Sequence, residues 1–140
     1  MMKKLFVLSV FMGLFLTCIF GQKNSSPVTR IIKKEKKNVY IVDVSIQMSK
    51  IESIDTKSFA RLSENIPEDC TCTIIEAARS DAQIKGNNIK FIWLQMPSGD
   101  FHVKYELRFD KAPEEIETDG IFSYMLKNGG KSKVEVETIE

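Results

Sequence analysis

The sequence predicts an all-β fold, a two-sheet antiparallel β-sandwich, from three observations. Apolar and polar side chains alternate with period two along most of the chain, turn-forming residues separate the alternating runs, and no helical pattern exceeds two turns. Successive side chains of a strand point to opposite faces, so an alternating run buries one face and wets the other. Seven or eight short runs of this kind need a second layer to cover their apolar faces, and a sandwich supplies it.

The clearest run is residues 101–109, where Phe101, Val103, Tyr105, Leu107 and Phe109 alternate with His102, Lys104, Glu106 and Arg108 without a break. This predicts a long strand with its odd positions in the core. Val42, Val44, Ile46 and Met48 repeat the pattern on even positions, as do Phe122, Tyr124 and Leu126, and more weakly Val134 and Val136. Residues 89–94 put Ile89, Phe91 and Trp93 on one face and Ile92 and Leu94 on the other, as in a central strand with little exposed surface. The expected core is therefore Phe91, Trp93, Phe101, Val103, Tyr105, Leu107, Phe109, Phe122 and Tyr124.

Turn chemistry falls at residues 85–88, 97–100 and 128–130. The last of these holds Asn128-Gly129, the strongest short hairpin signal. These turns predict a strand over residues 78–84 and a near-continuous antiparallel meander from 78 to 138. Residues 55–67 carry two readings. Phe59, Leu62 and Ile66 fall at helical spacing behind an Asp55 or Thr56 cap, whereas Ala60 and Leu62 also suit an extended strand.

The N-terminus has the layout of a secretory signal. Lys3 and Lys4 precede an uncharged apolar stretch over residues 5–20, shorter than the roughly 20 residues of a membrane-spanning helix, and small Gly21 offers a cleavage point. Residues 1–21 are read as the signal peptide, 22–37 as a polar and lysine-rich leader, and 38–140 as the β-sandwich domain. A lipoprotein anchored through Cys18 is disfavoured, because bulky Thr17 precedes it and Ile19 and Phe20 continue the apolar run. The expected destination is the periplasm, the outer envelope or the medium, with no transmembrane segment after cleavage. Asn24-Ser25-Ser26 fits the short glycosylation acceptor pattern. Loss of Lys3 and Lys4 turns a formal charge of +1 into about −1, a balance that argues against nucleic acid as a partner. Lys33, Lys34, Lys36 and Lys37 form the one local basic run.

The residues Phe59, Ala60, Arg61 and Leu62 with 64–67, then 82–93 with Met96 and Pro97, 101–105 and 120–124 resemble a group of secreted β-sandwich proteins of Bacteroidetes, distantly similar to cohesin and immunoglobulin-like modules. The resemblance spans about residues 38–127. It implies an exported or envelope β domain, immunoglobulin-like or cohesin-like, and favours a strand over a helix for residues 59–66. It brings no catalytic motif.

Candidate chemistry is sparse. His102, the sole histidine, lies on the polar face of its strand near Lys104 and Glu106, with no positioned partner or cleft evident for a general base. Cys70 and Cys72 are compatible with two buried thiols, a tight disulfide, or half of an intermolecular bridge; a structural zinc site would need four ligands. Their neighbours Glu68 and Asp69 raise rather than lower a thiol pKa, which disfavours a cysteine nucleophile. Glu114, Glu115 and Glu117 with Asp110 and Asp119 form an acidic connection that lacks the spacing of a calcium loop. Trp93 reads as a core residue before a sugar platform. No cofactor is expected.

These observations point to an exported non-catalytic module for protein–protein recognition or structural assembly in the cell envelope. The expected contact surfaces are Lys33, Lys34, Lys36 and Lys37 and the acidic Glu114, Glu115 and Glu117. The partner is another envelope or secreted protein, or a glycan; the oligomeric state is left open. The alternatives are a carbohydrate-binding module of the cell surface and a small periplasmic hydrolase or thiol-dependent enzyme.

Overall fold

The computed structural model describes residues 26–140, so residues 1–21, expected to be a signal peptide, Cys18 among them, and the start of the expected leader lie outside the described residues. The chain forms β1 (Val28–Lys36), β2 (Val39–Ile46), a single 3-10 turn (Met48–Lys50), β3 (Ala60–Asn65), β4 (Cys70–Glu76), β5 (Asp81–Lys85), β6 (Asn88–Trp93), β7 (Phe101–Phe109), β8 (Asp119–Met125), β9 (Lys131–Glu135) and β10 (Glu137–Thr138). One sheet runs β10-β1-β2-β7-β4 and the other β5-β6-β3-β8-β9. Every pairing is antiparallel except β1 with β10. The fold is the all-β sandwich that period-two patterning predicts, and no described helix is long and apolar enough to cross a membrane.

The layers meet through the inward positions of β2, β7, β3, β6 and β8. Trp93 is fully buried, near-parallel to Phe91 and edge-on to Phe101 and Phe122, with ring centroids 5.2–6.3 Å away. Its indole N–H donates to the Ala78 carbonyl at 2.8 Å, which settles the one polar group that a buried tryptophan carries. Trp93 is thus a core residue. Phe91, Val103, Tyr105, Leu107, Phe109, Phe122 and Tyr124 are buried too. Phe101 is only half-buried, because it opens β7 at the rim of the sandwich.

Three expectations are corrected, and one open reading is resolved. The leader is too long: Val28–Lys36 is β1, held between β2 and β10, so the sheet begins well before residue 38. Arg30 hides this strand in the sequence, since it puts a charge at an inward position between Val28 and Ile32. The meander is broken: β6 and β7 lie in different sheets, so residues 94–100 cross between layers instead of closing a hairpin. Leu94, placed by that crossing beyond the strand end, is 83% exposed. The strand assigned to 78–84 starts only at Asp81, because Ala78 and Arg79 take positive φ angles of 50° and 61°, where an extended strand cannot continue. Residues 60–65, open between helix and strand, are the central strand β3, since Leu62 and Glu64 have to face the opposite sheet.

Candidate functional site

Inside the sandwich sits an ion pair that joins the two sheets. Arg30 of β1 and Glu64 of β3 are both fully buried. The guanidinium donates to both carboxylate oxygens, at 3.0 Å from Nε to Oε1 and through Nη2 to Oε2. Tyr105 of β7 donates to Glu64 Oε1 at 3.2 Å, and Arg30 Nη1 donates to the Thr138 hydroxyl at 2.9 Å. Desolvation pushes the Glu64 carboxyl pKa up while the guanidinium pulls it back; the same carboxylate outweighs burial at Arg30 and raises its pKa. An arginine does not release its proton in a protein, so a fixed positive charge occupies the core. The ionised Glu64 carboxylate is its neutralising partner. Gly120 makes the room, since a side chain there would overlap that carboxylate. The pair locks the layers and has no access to solvent.

Cys70 and Cys72 are both free thiols. They occupy successive inward positions of β4, opposite Phe109 and Leu107, about 6.6 Å apart along a regular strand, which is at the far limit for a disulfide. The tight-disulfide alternative is therefore corrected. Burial pushes the Cys72 thiol pKa up to about 12, and burial with Asp69 raises that of Cys70. Neither is a ready nucleophile.

His102 lies on the outer face of the first sheet, where Nδ1 is 3.5 Å from Asp43 and Nε2 3.2 Å from Glu76. Lys104 reaches the same two carboxylates, and Arg108 pairs with Glu106. Asp43 and Glu76 come from β2 and β4, so their adjacency to His102 and Lys104 is invisible in sequence. The hollow beside His102 is lined by Glu76, Arg79, Ser98 and Phe101 among others. Among the described residues, no group of three His, Cys, Asp or Glu side chains converges to hold a metal, including the acidic connection.

The two expected contact surfaces share one end of the sandwich. Lys36 and Lys37 lead into the β1–β2 turn at Asn38, whose side-chain amide donates to the carbonyl of Asp110 at 3.3 Å, where the acidic connection begins. Lys33, Lys34, Lys36 and Lys37 are exposed, as are Glu114, Glu115 and Glu117.

A groove that sequence reasoning missed lies on the outer face of the second sheet. Its volume is about 420 Å³, and Phe59, Arg61, Ser123, Tyr124, Met125, Lys131, Ser132 and Lys133 line it. The register explains the gathering: Ala60 pairs with Tyr124, and Tyr124 with Ser132. Arg61, Ser123 and Lys133 therefore lie abreast across three strands. Phe59 is 44% exposed. Arg61, Lys131 and Lys133 are exposed and enter none of the ion pairs among the described residues. The groove thus combines an aromatic and a thioether surface with three cations that form no ion pair among the described residues. It adjoins β9, an edge strand of its sheet. The lysines alternate through β9 in a pattern visible in the sequence, but Phe59 and Arg61 come from residues some 70 positions earlier.

No family model and no curated protein matches the chain by sequence. Solved structures do match its fold. BcpA, the major pilin subunit of Bacillus cereus, aligns with a TM-score of 0.54 and 12% identity over 81% of this chain and 37% of its own. The collagen-binding domain of the Erysipelothrix rhusiopathiae surface protein RspB aligns with a TM-score of 0.55 and 12% identity over 80% of this chain and 45% of its own. A GH20 exo β-N-acetylglucosaminidase from Vibrio harveyi aligns with a TM-score of 0.51 and 8% identity over 82% of this chain and 18% of its own. The chain thus spans less than half of each of these structures, and at these identities what it shares with them is the β-sandwich fold.

Proposed function

We propose that the chain is an exported, non-catalytic β-sandwich module that recognises another protein of the cell envelope. The groove on the second sheet carries this reading, because Arg61, Lys131 and Lys133, set around exposed Phe59 and half-buried Met125, form no ion pair among the described residues. A partner that brings carboxylates and an apolar side chain would complete it. The signal-like residues 1–21 and the resemblance to secreted β-sandwich proteins of Bacteroidetes support export. The pilin and collagen-binding domains that share the fold support recognition or assembly over catalysis.

The second reading is a carbohydrate-binding module. An aromatic edge beside cations also suits an acidic sugar, so the test has to separate the two. A photo-crosslinking side chain placed at Ser123, inside the groove, is expected to yield a discrete protein adduct in the producing cell. The same probe at Thr73, on the other sheet, should not yield it. Loss of the adduct in a Lys131→Glu/Lys133→Glu background would tie it to the groove. A protease-resistant, glycosidase-sensitive adduct would replace protein recognition with glycan binding.

A further inference from the structure

The groove has a complement in the same chain. Glu114, Glu115 and Glu117 are exposed and enter no ion pair among the described residues. Ile116 between them packs against the core, which pins the backbone and leaves its neighbours Glu115 and Glu117 to face solvent. In extended chain, residues two apart on one side are separated by about 6.6 Å. Lys131 and Lys133 have that same spacing in β9. The acidic ridge cannot reach its own groove. It precedes Asp119 at the start of β8, whereas Ser123, Tyr124 and Met125 form the groove towards the other end, about 13–20 Å further along the strand.

Resting on the reading that this face binds protein, we propose that its occupant is a second copy of the chain. The Glu114–Glu117 ridge of one copy seats in the groove of the next, with Glu115 and Glu117 against Lys131, Lys133 and Arg61. Lysines on an edge strand discourage the addition of uncharged strands, so the groove selects a segment that carries carboxylates. Because ridge and groove are different surfaces at opposite ends of β8, the contact is head-to-tail. Each added copy leaves one ridge and one groove free, and the assembly grows as a row instead of stopping at two.

Sedimentation velocity on the secreted protein tests this. At about 20 mM salt the wild type is expected to form species larger than a monomer that dissociate at about 0.5 M, where charges are screened within roughly 4 Å. Lys131→Glu/Lys133→Glu and Glu115→Lys/Glu117→Lys should each be monomeric, with the near-ultraviolet signal of Trp93 intact. Mixing these two variants should restore growth as an alternating row, since the native ridge of the first fits the native groove of the second and the reversed ridge of the second fits the reversed groove of the first. Combining all four substitutions should restore growth. A wild type that stays monomeric at millimolar concentration and low salt overturns the proposal, as does assembly that survives either charge reversal on its own. If the wild type is monomeric while Ser123 still cross-links to a different protein, the self-contact is wrong and protein recognition stands. If the Ser123 adduct is a glycan, both fall.

Discussion

Arg30 and Arg61 carry the same side chain into opposite circumstances. Arg30 points into the sandwich and meets Thr138 and Glu64, the latter also held by Tyr105, while Arg61 points away from it and meets no carboxylate among the described residues. Between these extremes stand His102 and Lys104, half-exposed beside Asp43 and Glu76. A buried charge has to be neutralised within the molecule, because water cannot solvate it. An exposed cation has no such requirement, and the fold leaves it free to serve a partner. Around His102 the first sheet therefore pairs its outer charges within the molecule, whereas the groove cations of the second sheet enter no ion pair among the described residues.

The largest consequence lies inside. Glu64→Ala leaves the Arg30 guanidinium buried and uncompensated, and it should lower the unfolding free energy by about 3–5 kcal/mol. Arg61→Ala should change it by less than about 0.5 kcal/mol. Urea titration of both variants reads the contrast directly, and equal effects would break it. Arg30→Met with Glu64→Leu should recover most of the loss, since an apolar pair of similar volume replaces the ion pair without stranding a charge.

Gly120→Ala sharpens the interior side of the comparison. A methyl group there overlaps the Glu64 carboxylate and should cost about 1–3 kcal/mol, the usual range for overpacking a filled interior. The penalty should shrink in the Glu64→Ala background, where the space is vacant; two additive penalties would show that Gly120 serves something else.

On the outer face of the first sheet, a double-mutant cycle between Asp43→Ala and His102→Ala should give a coupling of about 1 kcal/mol or less, as for other solvent-exposed pairs. A coupling above 2 kcal/mol would promote that face from a solvated surface to an organised site.

The last expected effect concerns the thiols and shows only at alkaline pH. Burial raises the Cys72 pKa from the ordinary thiol range near 8.5 to about 12. Between those values the unfolded chain releases its proton first, so stability falls as pH rises from about 9. Cys72→Ala should flatten this alkaline slope in melts recorded across pH, whatever it costs in packing. Both thiols should react slowly with an aromatic disulfide reagent at pH 8 until the protein is unfolded. Rapid modification of Cys72 in the folded protein would contradict its inward position.

The alternation that marks β2, β7 and β8 is legible in the sequence because each has one buried face and an unbroken period of two. β3 is less legible: Glu64 occupies a core position, so the run looks as much like a capped helix as a strand. β1 is hidden for the same reason, since Arg30 breaks its apolar row and the lysines after it look like a solvated leader. In both cases the charged residue that obscures the strand is half of the ion pair that holds the two strands together. The groove was illegible on different grounds. None of its parts is unusual alone, and only the β3–β8–β9 register sets Arg61 beside Ser123 and Lys133.

What the chain determined by itself is local: the alternation of inward and outward side chains, the turns at Gly86 and Gly129, and the acidic connection after Phe109, all set by residues within a few positions of one another. What only the tertiary structure decided is which strand lies beside which. That choice sent β6 and β7 into different sheets, brought Arg30 to Glu64, and gathered the groove cations of the second sheet, which form no ion pair among the described residues. Strand order depends on distant segments burying one another's apolar faces, and a period of two says which face is buried but never against what.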